Sequence, residues 1–362
     1  MRFSTKLLLF LGLLLISSGA HAACRPLMFG ECCGREPCSF ITWRGDCKVL
    51  TYQLYADFLY WQIYGEGLEF ARDGGSSGAP GTPVDETGTI LSPGCRAKPG
   101  FRIGLTVDLP CCTWDAFGRY TYISNNLLGS KRVANGVTGL NPLIWNHGVN
   151  GTEDINYAEG KWGFEVSVFD FGLGHNFPIG GCFNFRPHLG LKTTWQKHHY
   201  RVTYENIVNT ATITRDQICF VTDFNGVGLR GGFDAEWRLC RCLSFVGGIS
   251  TSALYSDLNQ NRRDDHTDNI LSNNPISVTN VWLKDEHCVL LPVTELLIGL
   301  QWVAKMFTGY EYSILVAWET QKWWNLNQFL FISNDTVNNN FEFGPQGGVT
   351  YQGLTVRLKL DF

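Results

Sequence analysis

The last nine residues, Leu354-Thr355-Val356-Arg357-Leu358-Lys359-Leu360-Asp361-Phe362, alternate apolar and polar without a break. Successive side chains of a strand point to opposite faces. Leu354, Val356, Leu358, Leu360 and Phe362 therefore share one face, and Thr355, Arg357, Lys359 and Asp361 share the other. The charged face needs water and the apolar face needs an oily neighbour. A transmembrane barrel, wetted by lipid outside and by a polar lumen inside, satisfies both.

The start of the chain carries an export signal. Arg2 and Lys6 flank the beginning of an apolar stretch over residues 7–16, and Ala20-His21-Ala22 ends it with small residues at cleavage-type positions. This reads as a signal peptide spanning residues 1–22, since ten apolar residues are about half of what a helix needs to cross a bilayer. Cys24 raises a lipoprotein reading, against which His21 stands where an apolar residue is usual. Of 29 Lys and Arg, removing Arg2 and Lys6 leaves 27 against 33 acids, a net charge of about −6. Such a chain has no basic surplus for nucleic acid. The rest of the chain has no run of 18 apolar residues, which excludes helical spans and leaves strands open. Forty Gly and 14% aromatic residues suit a protein of strands and turns.

Period-two alternation predicts ten strands, at residues 52–60, 101–109, 114–122, 162–168, 183–196, 227–237, 245–255, 296–302, 310–318 and 354–362. Tight turns at Pro110-Cys111-Cys112, residues 178–182, Cys240-Arg241-Cys242 and residues 305–309 alternate with long polar loops, among them residues 65–98, 123–160 and 257–287. The expected fold is an all-β, antiparallel, up-and-down transmembrane barrel over residues 50–362, preceded by a Cys-rich periplasmic segment over residues 23–49. Short turns would face the periplasm and long loops the outside. The count is about ten strands, with twelve to sixteen left open because loops such as residues 200–208 have room for more. This assignment sorts aromatics into two girdles, Trp114, Trp237, Trp302, Tyr310 and Phe362 at one level and Tyr60, Tyr122, Trp162, Trp195 and Trp318 at the other. The competing architecture is a β-sandwich with these rings in a shared core.

The polar faces line the lumen in this parse. They carry Asp57, Arg102, Asp108, Asp115, Arg119, Glu165, Arg186, Lys192, Arg230, Asp234, Glu311, Arg357 and Lys359, with Glu236 and Glu295 beside them. Mixed signs predict a pore of weak charge selectivity or, in a small barrel, a lumen plugged by the same side chains. Thirteen Cys in an exported chain point to disulfides. Ten of them, Cys24, Cys32, Cys33, Cys38, Cys47, Cys111, Cys112, Cys182, Cys240 and Cys242, fall on the predicted periplasmic side. Cross-links to further copies or to Cys-rich envelope proteins and purely intrachain bridges both fit. No Cys-x₂-Cys units or nearby His complete a zinc site, and no cofactor motif is present. His198-His199 and Arg262-Arg263-Asp264-Asp265-His266-Thr267-Asp268 lie in polar stretches that need no metal to explain them. A surface hydrolase would use pairs such as Asp170 and His175 or Asp264 and His266, but no nucleophile motif accompanies them. The expectation is a protein without enzymatic activity.

Ala56-Asp57-Phe58-Leu59-Tyr60-Trp61, followed by Glu66-Gly67-Leu68-Glu69-Phe70, together with the Cys-rich lead and the Phe-terminated last strand, resembles the major outer membrane protein-like porins of the chlamydial and Legionella type. The resemblance implies an outer-membrane location, passage of ions and small hydrophilic solutes, a structural role in a disulfide-linked envelope, and a homo-oligomer. The closing residues, with Gly353, Val356, Leu358 and Phe362, resemble the signal by which outer-membrane barrels are recognised by the assembly machinery. The lipid bilayer and that machinery are the implied partners. An alternative function is a plugged structural barrel or an adhesin acting through its long loops.

Overall fold

Ten long strands carry the fold in the computed structural model, which describes residues 50–73, 88–109, 113–133, 140–144, 155–179, 182–209, 212–240, 242–272, 275–305, 311–330, 332–335, 340–343 and 347–361. They are β1 (Thr51–Gly65), β2 (Ala97–Asp108), β3 (Trp114–Arg132), β4 (Tyr157–His175), β5 (Phe183–Asn209), β6 (Thr212–Arg238), β7 (Leu243–Asp268), β8 (Ile276–Lys305), β9 (Glu311–Asn327) and β10 (Gly347–Asp361). Each pairs antiparallel with its neighbours in chain order, and β10 returns to β1, from Gln53↔Asp361 to Gly65↔Val349. The ring is closed, so no backbone edge meets lipid. A short strand, Phe177–Ile179, folds back on the start of β5. All ten predicted segments fall on these strands, with Leu109 one residue past β2 and with Tyr310 and Phe362 outside the described residues. Residues 1–49, with the signal peptide and the Cys-rich lead, lie outside the described residues.

The strands are longer than the alternation suggested. β5 and β6 have 27 residues each and β8 has 30, where a tilted strand needs about 9–11 to cross a bilayer. The excess lies at the loop end, and there the apolar side changes. In the turn half, Phe169, Phe171 and Leu173 of β4 point outward and Asp170 points inward. Above them on the same strand Trp162, Phe164, Val166 and Val168 point inward and are buried, while Glu165 points outward. β7 does the same: Phe245, Ile249 and Tyr255 face out, then Leu254 and Leu258 face in opposite Asp257 and Asn259. The pleat does not slip over these residues; the register shifts lie higher, at Thr212/Ile213, Asp264/Asp265 and Trp323/Asn327. Lipid wets the lower wall and water the upper one, so each height demands the opposite face to be apolar.

This inversion corrects two expectations. Trp162 belongs to an interior core and not to the outer girdle, which Tyr60, Trp195, Tyr255 and Trp318 form with exposed rings. Residues 123–132 and 200–208 and much of 257–287 are strand, because the barrel wall continues above the lipid. At the turn end Trp114 and Trp237 are exposed on the lipid face. Tyr310 and Phe362 lie outside the described residues.

Loops fill the upper lumen. Phe70 and Ala71 are fully buried among Trp61, Trp162, Tyr200, Phe220, Phe224, Trp323 and Tyr351 in one continuous core. Tyr200 donates to the Leu68 carbonyl at 2.7 Å, and Tyr204 donates to the Phe70 carbonyl. Gly160 makes room for this segment: a Cβ there would lie 2.4 Å from the Phe70 ring. Ala71–Asp73 also pairs with Thr89–Leu91 and Leu140–Pro142 in a small three-stranded sheet. At the seam, Gly353 has φ +155° and lets β10 approach β1 so closely that a Cβ would lie 2.4 Å from the Tyr60 carbonyl. That is a packing requirement in addition to any assembly signal.

At the outer tip, Asp216 of β6 faces His266 of β7. The His266 imidazole is 2.6 Å from the Asp216 carboxylate and 2.9 Å from that of Asp268. Partial burial disfavours the imidazolium, but the bonds to Asp216 and Asp268 outweigh it and raise the pKa above the ordinary histidine value. A raised folded-state pKa contributes stability that is present below the unfolded value, about 6.5, and lost as pH rises through the folded one. Hydrogen-exchange protection of the outer β6–β7 rungs, corrected for intrinsic rate, is therefore expected to fall as pH rises above about 6.5. His266→Gln is expected to flatten that dependence; an unchanged profile in the variant would contradict the assignment.

Six cysteines are described, all as free thiols: Cys95 and Cys288 are exposed and Cys219 is half-buried on the loop half, while Cys182, Cys240 and Cys242 sit at the turn end. The proposed bridge-forming Cys24, Cys32, Cys33, Cys38, Cys47, Cys111 and Cys112 lie outside the described residues. An impermeant thiol reagent on intact, reduced cells is expected to label Cys95, Cys219 and Cys288 and to spare Cys182, Cys240 and Cys242. The reverse pattern would invert the barrel.

Candidate functional site

Halfway down the barrel, every strand sends one polar side chain into the lumen at nearly one level. They are Asp57 (β1), Arg102 (β2), Arg119 (β3), Asp170 (β4), Lys192 (β5), Arg230 (β6), Ser250 (β7), Glu295 (β8), Glu319 (β9) and Arg357 (β10). The register makes direct neighbours of several oppositely charged pairs. Asp57 stands opposite both Arg102 and Arg357, and Asp170 opposite both Arg119 and Lys192.

Two clusters form. On one wall Arg102 donates to Asp57 at 3.1 Å, to Glu319 at 2.8 and 2.9 Å, and to Thr121 at 2.9 Å. Arg357 donates twice to the same Asp57, at 2.7 and 2.9 Å, with its guanidinium 4.1 Å from the Tyr55 ring. On the facing wall Glu295 accepts from Arg119 at 2.8 Å, Arg230 at 2.9 Å and Ser250 at 3.0 Å, and pairs with Lys192 at 2.6 Å. Asp170 pairs with Arg119 at 2.6 Å and Lys192 at 2.8 Å. Opposite charges at these distances stabilise one another's ionised forms, which otherwise would not tolerate desolvation.

Most of these groups are dry, Arg119 and Arg357 being partly accessible. The side chains of Arg102 and Asp57 are 0% accessible, and those of Lys192 and Asp170 are 1% and 2% accessible. A water-filled pore would leave its lining charges wet. Of the predicted lumen residues, Asp57, Arg102, Arg119, Lys192, Arg230 and Arg357 are brought together here, and they fill the lumen at this level. Below them lies a polar cavity of about 300 Å³, lined by Gln53, Asp108, Asp115, Arg186, His188 and Asp234 among others. There Arg186 bridges Asp115 and Asp234. Lys359 pairs with Asp361 at 3.2 Å, and Glu311 faces inward opposite Asp361.

Glu165 is the exception among the predicted lumen residues. It points outward, where Tyr122 donates to it at 3.2 Å, because β4 has already crossed into the inverted upper half at that height. Asp170 and Glu319 were missed as lumen residues. Asp170 looked like a partner for His175, which instead meets Thr113 at the turn end. Glu319 opens the run Glu319-Thr320-Gln321-Lys322, which resembles a loop. The signal that finds it is parity: Ser313, Leu315 and Ala317 are buried on the same face. The other candidate pair is also separately engaged, Asp264 by Arg262 and His266 by Asp216 and Asp268.

Arg102 is the residue on which one cluster turns. Arg102→Met leaves Asp57 and Glu319 buried beside a lost cation and is expected to cost about 3–5 kcal/mol in unfolding of the refolded barrel. Adding Glu319→Gln to that variant is expected to recover part of the loss, and an additive pair would show that the two side chains are not coupled.

No protein of curated function matches the sequence. Among solved structures, the outer membrane protease OmpT of Escherichia coli is similar at 9% identity, over 88% of this chain and 99% of that one, with a TM-score of 0.38. A major outer membrane protein of Thermus thermophilus is similar at 10% identity, over 87% and 100%, with a TM-score of 0.27. A Pseudomonas aeruginosa FadL homologue is similar at 10% identity, over 86% and 90%, also at 0.27. None of these likenesses carries a functional argument. The sequence profile described as the Legionella pneumophila major outer membrane protein precursor matches residues 46–361, the whole barrel. The protein therefore belongs to this family of outer-membrane β-barrels.

Proposed function

We propose that the protein acts as a structural barrel of the outer membrane whose lumen is closed at rest. The observation that carries this reading is the ring of polar side chains, one from each of the ten strands and nine of them charged, most of which are buried. The aromatic core above it, into which residues 66–73 are inserted, supports the same conclusion. No reaction is assigned to it.

A second reading, solute passage through a gated pore, draws support from the polar cavity of about 300 Å³ on the turn side. In that reading the inserted segment is the gate, and Arg102, Lys192 and Arg230 become the selectivity-setting charges once it leaves. Envelope cross-linking through the Cys-rich lead belongs to this proposal as an added role.

Single-channel recording of the refolded chain in a planar bilayer tests the choice. Stable insertion without conductance steps is expected. Removing residues 66–73 is expected to admit steps only in combination with Arg102→Ala and Lys192→Ala, because two separate closures lie in series. Discrete steps from the unaltered chain, with ion preference altered by Arg102→Ala, would replace the closed barrel with the pore.

A further inference from the structure

The outer wall above the membrane carries a charged cleft that the lumen does not explain. Arg132, Tyr157, Glu159, Lys161, Arg201, Thr203, Glu205, Arg215 and Gln217 enclose about 350 Å³ across β3 to β6. All are on the face opposite the buried core residues Ala158, Trp162, Val202, Tyr204 and Ile218. Four cations meet two carboxylates there, an excess of two positive charges.

The carboxylates are already engaged. Glu205 takes Arg132 at 3.0 Å and Arg215 at 2.8 Å, and Glu159 accepts from Tyr157 at 2.7 Å. Arg132 also lies over the Tyr157 ring, 4.6 Å from its centroid. The excess therefore resides in Lys161 and Arg201. These two stand directly opposite one another on neighbouring strands and are both exposed. Among the described residues neither has a carboxylate within ion-pair distance. Like charges in direct cross-strand register repel. An anion placed between them removes the repulsion and takes charge-assisted hydrogen bonds from both.

Height selects the source of that anion. Lys161 lies six residues above Ser167, the partner of the girdle residue Trp195. That is about 20 Å along the strand and roughly 14 Å along the membrane normal at a tilt of about 45°. This is above the acyl chains, at the height at which outer-leaflet glycolipids carry their sugars. We propose that the cleft binds the acidic saccharide of an outer-leaflet glycolipid, with Lys161 and Arg201 holding one phosphate or carboxylate of the sugar.

The test uses the full chain refolded in zwitterionic micelles, with folding read by heat-modifiable gel migration. Three probes are titrated: lipopolysaccharide with an acidic inner core, lipid A without that core, and inorganic phosphate. The Lys161→Gln/Arg201→Gln double variant is expected to lose at least about tenfold in affinity for the first, the loss of two charge-assisted hydrogen bonds. Lys197→Gln, whose cation pairs with Asp223 lower on the same wall, is expected to change little, and lipid A is expected to bind wild type and double variant alike. Equal lipopolysaccharide affinity in the folded double variant would overturn the site. Full displacement of lipopolysaccharide by millimolar phosphate would overturn the glycolipid as its source.

Discussion

In lipid an unpaired backbone group has no partner, so the ten strands must close, and closure creates an interior that has to be filled. The interior is filled with charge at mid-height because the period-two pleat puts polar residues wherever the outside is lipid. Isolated, each of these ions would be intolerable there. Together they are tolerable because Asp57, Asp170, Glu295 and Glu319 are divided among five cations. The rest of the molecule depends on that division.

A buried ion pair is weak evidence for stability, since apolar residues of the same shape often do as well. Its contribution here lies in register. Sliding one strand by a single residue would turn its member of the ring toward lipid and strand its partners. Six of the ten joints, β1–β2, β3–β4, β4–β5, β6–β7, β7–β8 and β10–β1, are checked in this way by ring side chains as well as by the hydrogen-bond ladder. The seam between β1 and β10 is checked twice, by Arg357 on Asp57 and by the close approach at Gly353.

Much of this was legible in the sequence, and what was not has a common cause. All ten strands and the inward facing of Asp57, Arg102, Arg186 and Arg230 follow from alternation where lipid enforces it. Glu165, Trp162 and the stretch around residues 257–268 were misread because they stand above the lipid, where the same alternation carries the opposite meaning. Leu258 between Asp257 and Asn259 resembles a loop residue until the barrel is known to continue into water. Asp170 and Glu319 were hidden by neighbours that suggested a catalytic pair and a loop. The insertion of Phe70 into the lumen depends on a tertiary fit against Gly160 and Tyr204, which no local pattern reports.

The change of apolar side with height has a mechanical meaning. A barrel greasy along its whole outer wall could ride up or down in a bilayer at little cost. On β4 to β7 the wall turns polar just above Trp195 and Tyr255, so rising would lift aromatic rings into water and sinking would drag Glu165, Lys197 and Asp257 into hydrocarbon. The chain thus carries its own waterline. Whatever the protruding loops present to the outside is held at a set distance from the membrane surface.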